Sequence, residues 1–583
     1  MANTAKQLAL AREHMRAGNL DQARRLYRKV LKHDPDNAEA WHVTGLAAAE
    51  ANDLDGAVMF IAKAIQLAGP VPAWCTALGR IFARQGRHME ASACLRQALA
   101  QDPLNAQISF ELGNSLISTG NVPASLAAFE HAVEVEQSNA GFWYGLGFAC
   151  HRSGAAARAE ECFERVLKLD PQHAETHYNL GVIRMTQNRI TDARRSFECA
   201  LNLNPQHPDA LNNLGLVLQD QGDNQGAAAS FRRACRARRG YYAAEFNLAR
   251  VLAAEHDVDG SLAAYQASVD RRPEHLDARL GLAAALVASG RTLEAAPHLE
   301  AALQCDPHSV AAKLNLALAL LQLGRWREGW ALYESRFRRS LNANRQFGKP
   351  RWEGEPLDGR RILLHAEQGF GDTIQFSRFA PLVHDLGATV LVECPAGLIE
   401  VMETLDGVDE VVQAGHGLPT FDTHSALMSL PGLLGTLPDN VPAEVPYLLA
   451  DRRRADEWST LLRRTVDPGL LRVGLTWEGN PDHRSDSIRS LDPTLLAPLA
   501  EVEGVAFFNL QRNARVQPNF ELFGMSEHCA DFPDTAAAIL NLDLVISVDT
   551  SIAHLAGSLG KPVWTLLAFA ADWRWLLDRD DTP

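Results

Sequence analysis

The sequence predicts two parts, a long array of paired α-helices followed by a separate α/β body. Three observations support this fold class. Proline recurs about every 34 residues in the first half, and from about residue 345 that period stops and short apolar runs broken by Gly and Pro begin. A repeat of this length is typical of stacked helix-turn-helix units, whereas the later runs predict strands alternating with helices. The recurring positions are Pro35, Pro70, Pro103, Gln137, Pro171, Pro205, Arg239, Pro273 and Pro307, with Gln137 and Arg239 in place of proline.

Within each period, small, aromatic and proline residues return at the same offsets. Small residues let two helices approach closely, the aromatic residue fills the gap to the next unit, and proline ends the second helix because it has no N–H. Residues 174–205 show the pattern at Leu180, Gly181, Ala193, Phe197, Ala200 and Pro205, and other periods repeat it at Trp41, Gly45, Gly79, Gly113, Phe129, Gly147, Phe163, Gly215 and Phe231. The pattern resembles the tetratricopeptide family over residues 4 to about 340, which implies an α-solenoid superhelix of about nine to ten repeats.

One position on the first helix of the later repeats carries asparagine. Counting by 34 gives Asn179, Asn213 and Asn247, then Gly281, then Asn315, while the first five repeats have other residues there. An amide is both donor and acceptor, so a row of them could hold the backbone of an extended peptide. Protein O-GlcNAc transferases, which this architecture distantly resembles, use asparagines in this way. The alternative is that asparagine is only tolerated on a polar helix face.

Charge and cysteine usage restrict the class of protein. The chain of 583 residues has 56 basic and 71 acidic side chains, a formal charge of −15, which argues against a general nucleic-acid binder. Nine scattered cysteines without a CxxC pair favour free thiols in a reducing compartment. The first residues lack a signal-peptide core, and no apolar run is long enough for a membrane span. We therefore expect a soluble cytoplasmic protein.

The first informative segment of the α/β body is a glycine-rich loop. Residues 361–365 read as a strand, Gly369 and Gly371 bracket a tight loop, and residues 373–383 read as the following helix. Such a loop places backbone N–H groups where an anion or a substrate hydroxyl can approach. Many α/β folds use glycine here for steric reasons only, so the loop alone is weak support for a site.

The second segment lies near the end of the chain. Residues 544–548 read as an apolar strand and 552–559 as a helix, with Asp549, Thr550 and Ser551 between them and His554 one turn later. The carboxyl end of a parallel strand followed by a helix N-terminus is suited to a phosphate, because N–H groups and the helix dipole point at it. An ordinary helix N-cap is the alternative, since all three residue types are good caps.

Together these segments resemble a GT-B glycosyltransferase of two Rossmann-like lobes, closest to heptosyltransferase-like family 9 members fused behind tetratricopeptide arrays. Gly371-Asp372 matches the family's loop, which implies Asp372 as general base. Asp549-Thr550-Ser551 with His554 matches its Asp-Thr-Gly…His donor-phosphate motif, except that Ser551 replaces glycine. The resemblance covers roughly residues 326–583.

The domain boundaries follow from this resemblance. We expect repeats over 1–340, an acceptor-side lobe over 341–450, a linker over 451–470 and a nucleotide-sugar lobe over 471–583. A lobe of this type normally continues with a further strand or helix, so we expect the second lobe to be truncated at Pro583.

The loop after the strand at 471–476 is dense in polar residues, including His483, Arg484, Asp486 and Ser490. In the resembling family this loop faces the cleft between the lobes, which implies donor contacts for Asn480 and Arg489 and, at the end of the next strand, Gln511. A solvated loop is the alternative. Asp531 and Asp534 are interpreted as caps of the helix that follows them.

These features predict an inverting, metal-independent glycosyltransferase of hexosyl, heptosyl or N-acetylglucosaminyl type. The co-substrate would be a nucleotide sugar, with UDP, ADP and GDP all left open, and no cofactor is expected. The repeats would recruit the protein or glycan acceptor, or a partner. The alternative is a protein-interaction scaffold with a degenerate transferase domain.

Overall fold

The computed structural model describes residues 2–17, 19–338, 345, 347–367, 369–481, 486–512, 514–577, 579 and 581. The chain divides into two compact units, Met1–Val251 and Leu252–Pro583. The expected boundary between residues 340 and 341 lies outside the described residues. The second unit begins well before it, and so contains the last helical pairs as well as the α/β part.

Twenty helices, α1–α20, precede the first strand in the described part of the chain, and they form ten consecutive pairs. This confirms the prediction of a helical array of nine to ten units. The helices are Ala2–Arg16, Leu20–His33, Ala38–Glu50, Leu54–Ala68, Pro72–Arg84, His88–Leu99, Ala106–Ser118, Val122–Val135, Ala140–Arg152, Ala156–Leu169, Ala174–Thr186, Ile190–Leu203, Pro208–Asp220, Asn224–Ala237, Tyr242–Ala254, Val258–Arg271, Leu276–Ala288, Thr292–Cys305, Val310–Gln322 and Trp326–Tyr333.

A polar residue occupies the N-cap position of the first helix in most pairs, and these residues recur at the 34-residue spacing. Each cap accepts a hydrogen bond from a backbone N–H in the first turn, which stabilises a helix start by about 1 kcal/mol. In three repeats the cap is a histidine, whose Nδ1 accepts a hydrogen bond from the backbone N–H three residues later at 3.0–3.2 Å. The caps are Asn37, Asn105, Asn139, His173, His207, His275 and Ser309.

Glycine and phenylalanine pack against each other within the helical pairs. Phe163, Phe197 and Phe231 are fully buried. A Cβ added at Gly181 would lie 2.5 Å from Cε1 of Phe197, and the same contact recurs between Gly215 and Phe231. Only a residue without a side chain lets the two helices of a pair come this close, which explains why this glycine repeats in the sequence.

The rest of the second unit contains two parallel sheets, of strand order β3-β2-β1-β4 and β7-β6-β5-β8-β9. Parallel strands require crossover connections, and short helices supply most of them. The strands β1–β9 are Arg361–His365, Thr389–Cys394, Glu410–Gln413, Thr423–Ala426, Leu471–Thr476, Val505–Asn509, Phe523–Gly524, Leu544–Val548 and Val563–Leu566. The helices α21–α28 are Phe370–Ser377, Ala380–His384, Ile399–Met402, Leu430–Leu433, Arg452–Thr465, Asp486–Arg489, Phe532–Leu540 and Ser551–Ser558.

Two segments differ from their sequence interpretation. The helix expected over 373–383 begins earlier and is broken into α21 and α22, with Pro381 in the first turn of α22, where its missing N–H costs no hydrogen bond. Residues 451–470, expected as a linker, contain helix α25. Trp458 and Leu462 of α25 are buried in the core of the second unit, so this segment is part of the packed body.

The nine cysteines are all unpaired, and five of them are buried. Burial raises the pKa of Cys162 and of Cys394 to about 12, so these side chains are neutral thiols. Across the described ranges, no helix has both the length and the apolar character needed to cross a bilayer.

We expect Gly181→Ala to destabilise the array, because the new methyl group overlaps the ring of Phe197. Overpacking of this kind costs about 1–3 kcal/mol, which urea unfolding followed by circular dichroism would detect. Adding Phe197→Leu should restore part of the loss by making room. An unchanged unfolding midpoint in Gly181→Ala would contradict the close packing.

Candidate active site

Two helix N-termini meet between the sheets of the second unit. α21 follows β1 through the loop at Gly369, and α28 follows β8 through Asp549 and Thr550. A Cβ added at Gly371 would lie 2.9 Å from Cδ2 of His554 and 3.6 Å from Cα of Ser551. Gly371, the second residue of α21, therefore leaves the space that the close approach of the two helices needs.

A cavity of about 680 Å³ opens at this junction. Its wall comes from the start of α21 on the side of one sheet and from the carboxyl ends of β5, β6, β8 and β9 in the other, where parallel α/β folds place their ligands. The structure brings together at this cavity all nine residues predicted for catalysis and donor binding: Gly371, Asp372, Asn480, Arg489, Gln511, Asp549, Thr550, Ser551 and His554.

The start of α28 is an open helix N-terminus. Thr550 occupies the N-cap position, but its side chain makes no capping hydrogen bond. Its hydroxyl instead lies 3.0 Å from the hydroxyl of Ser547. The alternative of an ordinary side-chain cap does not apply to Thr550, and the N-terminal end of the helix dipole faces the cavity.

Asp549 is held by the histidine of the same motif. Its Oδ1 lies 3.6 Å from Nε2 of His554, and the imidazole stacks on the indole of Trp575 with centroids 5.7 Å apart. Burial raises the pKa of Asp549, but the nearby imidazole of His554, the indole of Trp575 and the charge of Arg574 outweigh it and lower the pKa to about 2. Asp549 is therefore an ionised carboxylate at neutral pH.

Asp372 is paired with an arginine from the far end of the chain. Its Oδ1 accepts a hydrogen bond from a terminal guanidinium nitrogen of Arg574 at 2.5 Å, and the other terminal nitrogen of Arg574 donates to Asp572 at 2.7 Å. The guanidinium also lies over the rings of Trp573 and Phe376, at 4.7 and 5.7 Å. Burial lowers the pKa of Arg574, but the charges of Asp372 and Asp572 outweigh this and raise it above its ordinary value.

Residues 571–576, which we call the bridging segment, are anchored on the last helical pairs. Gln322 of α19 donates from Nε2 to the carbonyl oxygen of Ala571 at 2.9 Å, and its Oε1 accepts from Thr292 at 2.8 Å. The ring of Trp573 meets Trp330 of α20 edge to face, 5.2 Å between centroids. The array and the cavity are thus physically joined within the second unit.

The loop after β5 is fixed mostly by its own polar groups. Oε1 of Gln511 accepts from the backbone N–H groups of Trp477 and Glu478 at 3.2 and 2.9 Å, so this side chain positions the loop. Asp486 accepts from Ser490 and Arg515, both at 2.7 Å. The predicted residues His483 and Arg484 lie outside the described residues.

Arg489 and Asn480 line the cavity from the same loop. Nε of Arg489 is buried and has no hydrogen-bond acceptor among the described residues. Farther from the cavity, Asp531 caps α27 by accepting from the N–H of Asp534 at 2.9 Å, and Asp534 pairs with Arg454. The interpretation as a helix cap is confirmed for Asp531, whereas Asp534 lies within the first turn of α27.

The asparagines of the first unit link successive repeats. Asn179 donates to the hydroxyl of Tyr144 at 3.1 Å, and Asn247 donates to Asn212, both across a step of 35 residues. Asn247 is only 9% exposed, and Oδ1 of Asn213 accepts from the neighbouring Asn212. The amides of Asn179 and Asn247 therefore stabilise the stacking of repeats, whereas Asn213 bonds within its own helix and Asn315, in the second unit, is half-buried on α19.

Sequence reasoning missed the bridging segment. Arg574 and Asp572 line the cavity, and Trp575 supports His554. A signal was present, because two of the chain's 11 tryptophans flank a single arginine at positions 573–575. Aromatic residues on both sides of a charged residue are typical of a packed site, because their rings can lie against the cation.

Family comparisons identify the first part of the chain. Tetratricopeptide-repeat models match residues 8–72, 74–107 and 286–334, and the model of the Cilia and flagella-associated protein 70 C-terminal domain matches residues 99–280. The matches run through the helical pairs described above. The N-terminal part of the chain is an array of tetratricopeptide repeats.

Individual relatives match only part of the chain. Protein FlbA of Caulobacter vibrioides is 28% identical over a region covering 42% of this chain and 46% of FlbA, so the chain spans about half the length of that curated relative. Among solved structures, YrrB, described as a tetratricopeptide protein with an unusual peptide-binding site, is 23% identical, with TM-score 0.30, over 32% of this chain and 96% of YrrB. PilF of Pseudomonas aeruginosa is 19% identical, with TM-score 0.33, over 37% of this chain and 97% of PilF.

Gly371→Ala should lower the stability of the second unit by about 1–3 kcal/mol, because its methyl group would collide with His554. Gly369→Ala is the matched control, since a Cβ there meets no atom within 4 Å. Thermal unfolding of both variants tests the contact. Equal midpoints for the two variants would show that α21 and α28 do not pack as described.

The depressed pKa of Asp549 predicts a pH-dependent contribution to stability. A pKa of about 2 in the folded chain, against about 4 unfolded, contributes about 2 kcal/mol above pH 4, which is lost as the pH falls toward 2. The difference in unfolding free energy between the wild type and Asp549→Asn should therefore shrink between pH 5 and pH 3. The exposed Asp385→Asn is the control. A difference that stays constant over this range would contradict the lowered pKa of Asp549.

Proposed function

We propose that this chain, whose N-terminal part is a tetratricopeptide-repeat array, transfers a sugar from a nucleotide-sugar donor to a protein or glycan acceptor. One observation carries the proposal: a single cavity with the carboxylate of Asp372 on one wall and the open N-terminus of α28 on another. Sugar transfer needs a group that accepts a proton and a place for the departing diphosphate.

The donor diphosphate would bind at the start of α28. There the N–H groups of Ser551 and the next residues and the helix dipole favour a negative charge without rearrangement. A cavity of about 680 Å³ is large enough for a nucleotide-sized ligand. His554, held by Asp549, lies one turn into the helix and can donate a hydrogen bond to the same anion.

Asp372 would act as the general base in an inverting displacement. Its carboxylate accepts the proton of an acceptor hydroxyl while that oxygen forms a bond to the anomeric carbon. On the opposite side, the bond from the anomeric carbon to the diphosphate oxygen breaks, and the diphosphate leaves with the electron pair. The sugar, of hexosyl, heptosyl or N-acetylglucosaminyl type, and the nucleotide base are left open.

Tetratricopeptide repeats mediate protein interactions, and the array would bring the acceptor or a partner to the cavity. The contacts of Gln322 and Trp330 with the bridging segment support this arrangement, because they join the last repeats to the cavity wall. Polypeptide acceptors fit the array best, since stacked repeats provide an extended surface for a chain.

A scaffold with an inactive α/β body is the second candidate. The observation favouring it is the ion pair between Asp372 and Arg574, in which the carboxylate is engaged by a guanidinium instead of an acceptor hydroxyl. In that case the cavity would bind no donor.

The two functions predict different responses to a panel of UDP-, ADP- and GDP-sugars. A true donor should raise the thermal midpoint of the full chain by mass action. Asp372→Asn should keep that stabilisation but slow the release of nucleoside diphosphate by about 10²–10⁴-fold, and Asp549→Ala should weaken donor binding because His554 loses its anchor.

Asp385→Asn, an exposed carboxylate outside the cavity, is the control and should behave as the wild type. Stabilisation by none of the donors would favour the scaffold. Undiminished turnover in Asp372→Asn would refute the base, and unchanged donor affinity in Asp549→Ala would refute the phosphate site.

A further inference from the structure

We propose that Arg574 is the cation that binds the donor diphosphate, and that Asp372 and the anion compete for it. Without an anion, the guanidinium is paired with Asp372. With an anion bound, it turns to the phosphate oxygens and releases the carboxylate for the acceptor hydroxyl. This inference rests on the proposed transferase function, and it adds a mechanism by which donor binding makes the general base Asp372 available.

The pair with Asp372 is the first reason. The hydrogen bond from Arg574 engages Oδ1 of Asp372, which leaves Oδ2 as the oxygen for a hydroxyl proton and holds the carboxylate beside a cation. To present both oxygens to the acceptor hydroxyl, Asp372 needs Arg574 to find another acceptor. A diphosphate is the one ligand of the proposed reaction that offers several charged oxygens to a planar guanidinium.

The balance of charge at the cavity is the second reason. The described lining has four carboxylates, Asp372, Glu478, Asp549 and Asp572, and three guanidinium groups, Arg489, Arg512 and Arg574. With more carboxylates than guanidinium groups, such a lining does not favour an anion while Arg574 remains paired with two of its carboxylates. If the guanidinium of Arg574 turned to an anion, the positive charge available to that anion would therefore increase.

The position of the guanidinium is the third reason. Its Nε is buried without a hydrogen-bond acceptor among the described residues, so the group has unused donor capacity. The next residue, Trp575, stacks on His554 in α28. Arg574 is thus one residue from a ring that rests on the helix whose N-terminus would hold the phosphate.

The bridging segment is fixed on both sides of this arginine. Before it, Gln322 holds the backbone at Ala571, and Trp573 is 6% exposed and packed on Trp330. After it, Trp575 stacks on His554. Since the neighbouring backbone is fixed, exchange between Asp372 and an anion needs only rotation of the Arg574 side chain.

Calorimetric titration of the full chain with inorganic pyrophosphate tests the exchange, because pyrophosphate carries the diphosphate without a sugar or base. Arg574→Gln should weaken binding by about 10-fold or more, since a charge-assisted contact is lost. Asp372→Asn should strengthen binding by about 5-fold or more, because Arg574 no longer has to leave a carboxylate. A purely structural role for Arg574 does not predict this opposite pair of signs.

Two controls separate the exchange from general electrostatics. Glu478→Gln removes the same charge from the cavity wall without touching Arg574, so its gain in affinity should be smaller than that of Asp372→Asn. In the double variant Asp372→Asn with Arg574→Gln, the gain should disappear. Arg454→Gln, which removes an arginine paired with three carboxylates outside the cavity, should leave pyrophosphate affinity unchanged.

Equal gains in Asp372→Asn and Glu478→Gln would overturn the exchange, and this comparison holds even if Arg574→Gln fails to fold. In that event, binding by the wild type would leave the transferase proposal standing. If the wild type bound neither pyrophosphate nor a nucleoside diphosphate, the anion site of the proposed function would fail together with this inference.

Discussion

The second unit depends on three consecutive side chains, Trp573, Arg574 and Trp575. The first packs on the last repeat, the second pairs with Asp372 beside one sheet, and the third stacks on His554 beside the other. Aromatic contacts and a desolvated ion pair are strong in such surroundings because little water competes for them. One short segment therefore fixes the last repeat and both walls of the cavity relative to one another.

This arrangement agrees with a compact unit that contains the last helical pairs as well as the α/β part. The last repeats share a core with the α/β part: Leu321, Trp326 and Trp330 belong to the same apolar cluster as the buried strands β1 and β2. An array that ended independently would need a polar face on its final helix. Here the α/β part covers that face, so the last repeats and the cavity belong to one compact unit.

The local pattern of the sequence was sufficient to predict most of the helices and several of the strands. The 34-residue period fixed the helical pairs, the Gly–Phe spacing fixed their packing, and the apolar runs located strands β1, β5 and β8. The helix over 373–383 and the linker over 451–470 were misjudged, because helix breaks and burial depend on packing that a local pattern does not contain.

The sequence by itself determined the repeat array and the two loops, because turns, caps and close helix contacts are set by residues near each other in the chain. Only the tertiary structure decided that these loops share one cavity and that Arg574, 202 residues away, pairs with Asp372. It also showed that Asn179 and Asn247 bond to neighbouring repeats. Hydrogen bonds and ion pairs act over a few ångströms in space, so their partners are chosen by the fold and not by spacing in the sequence.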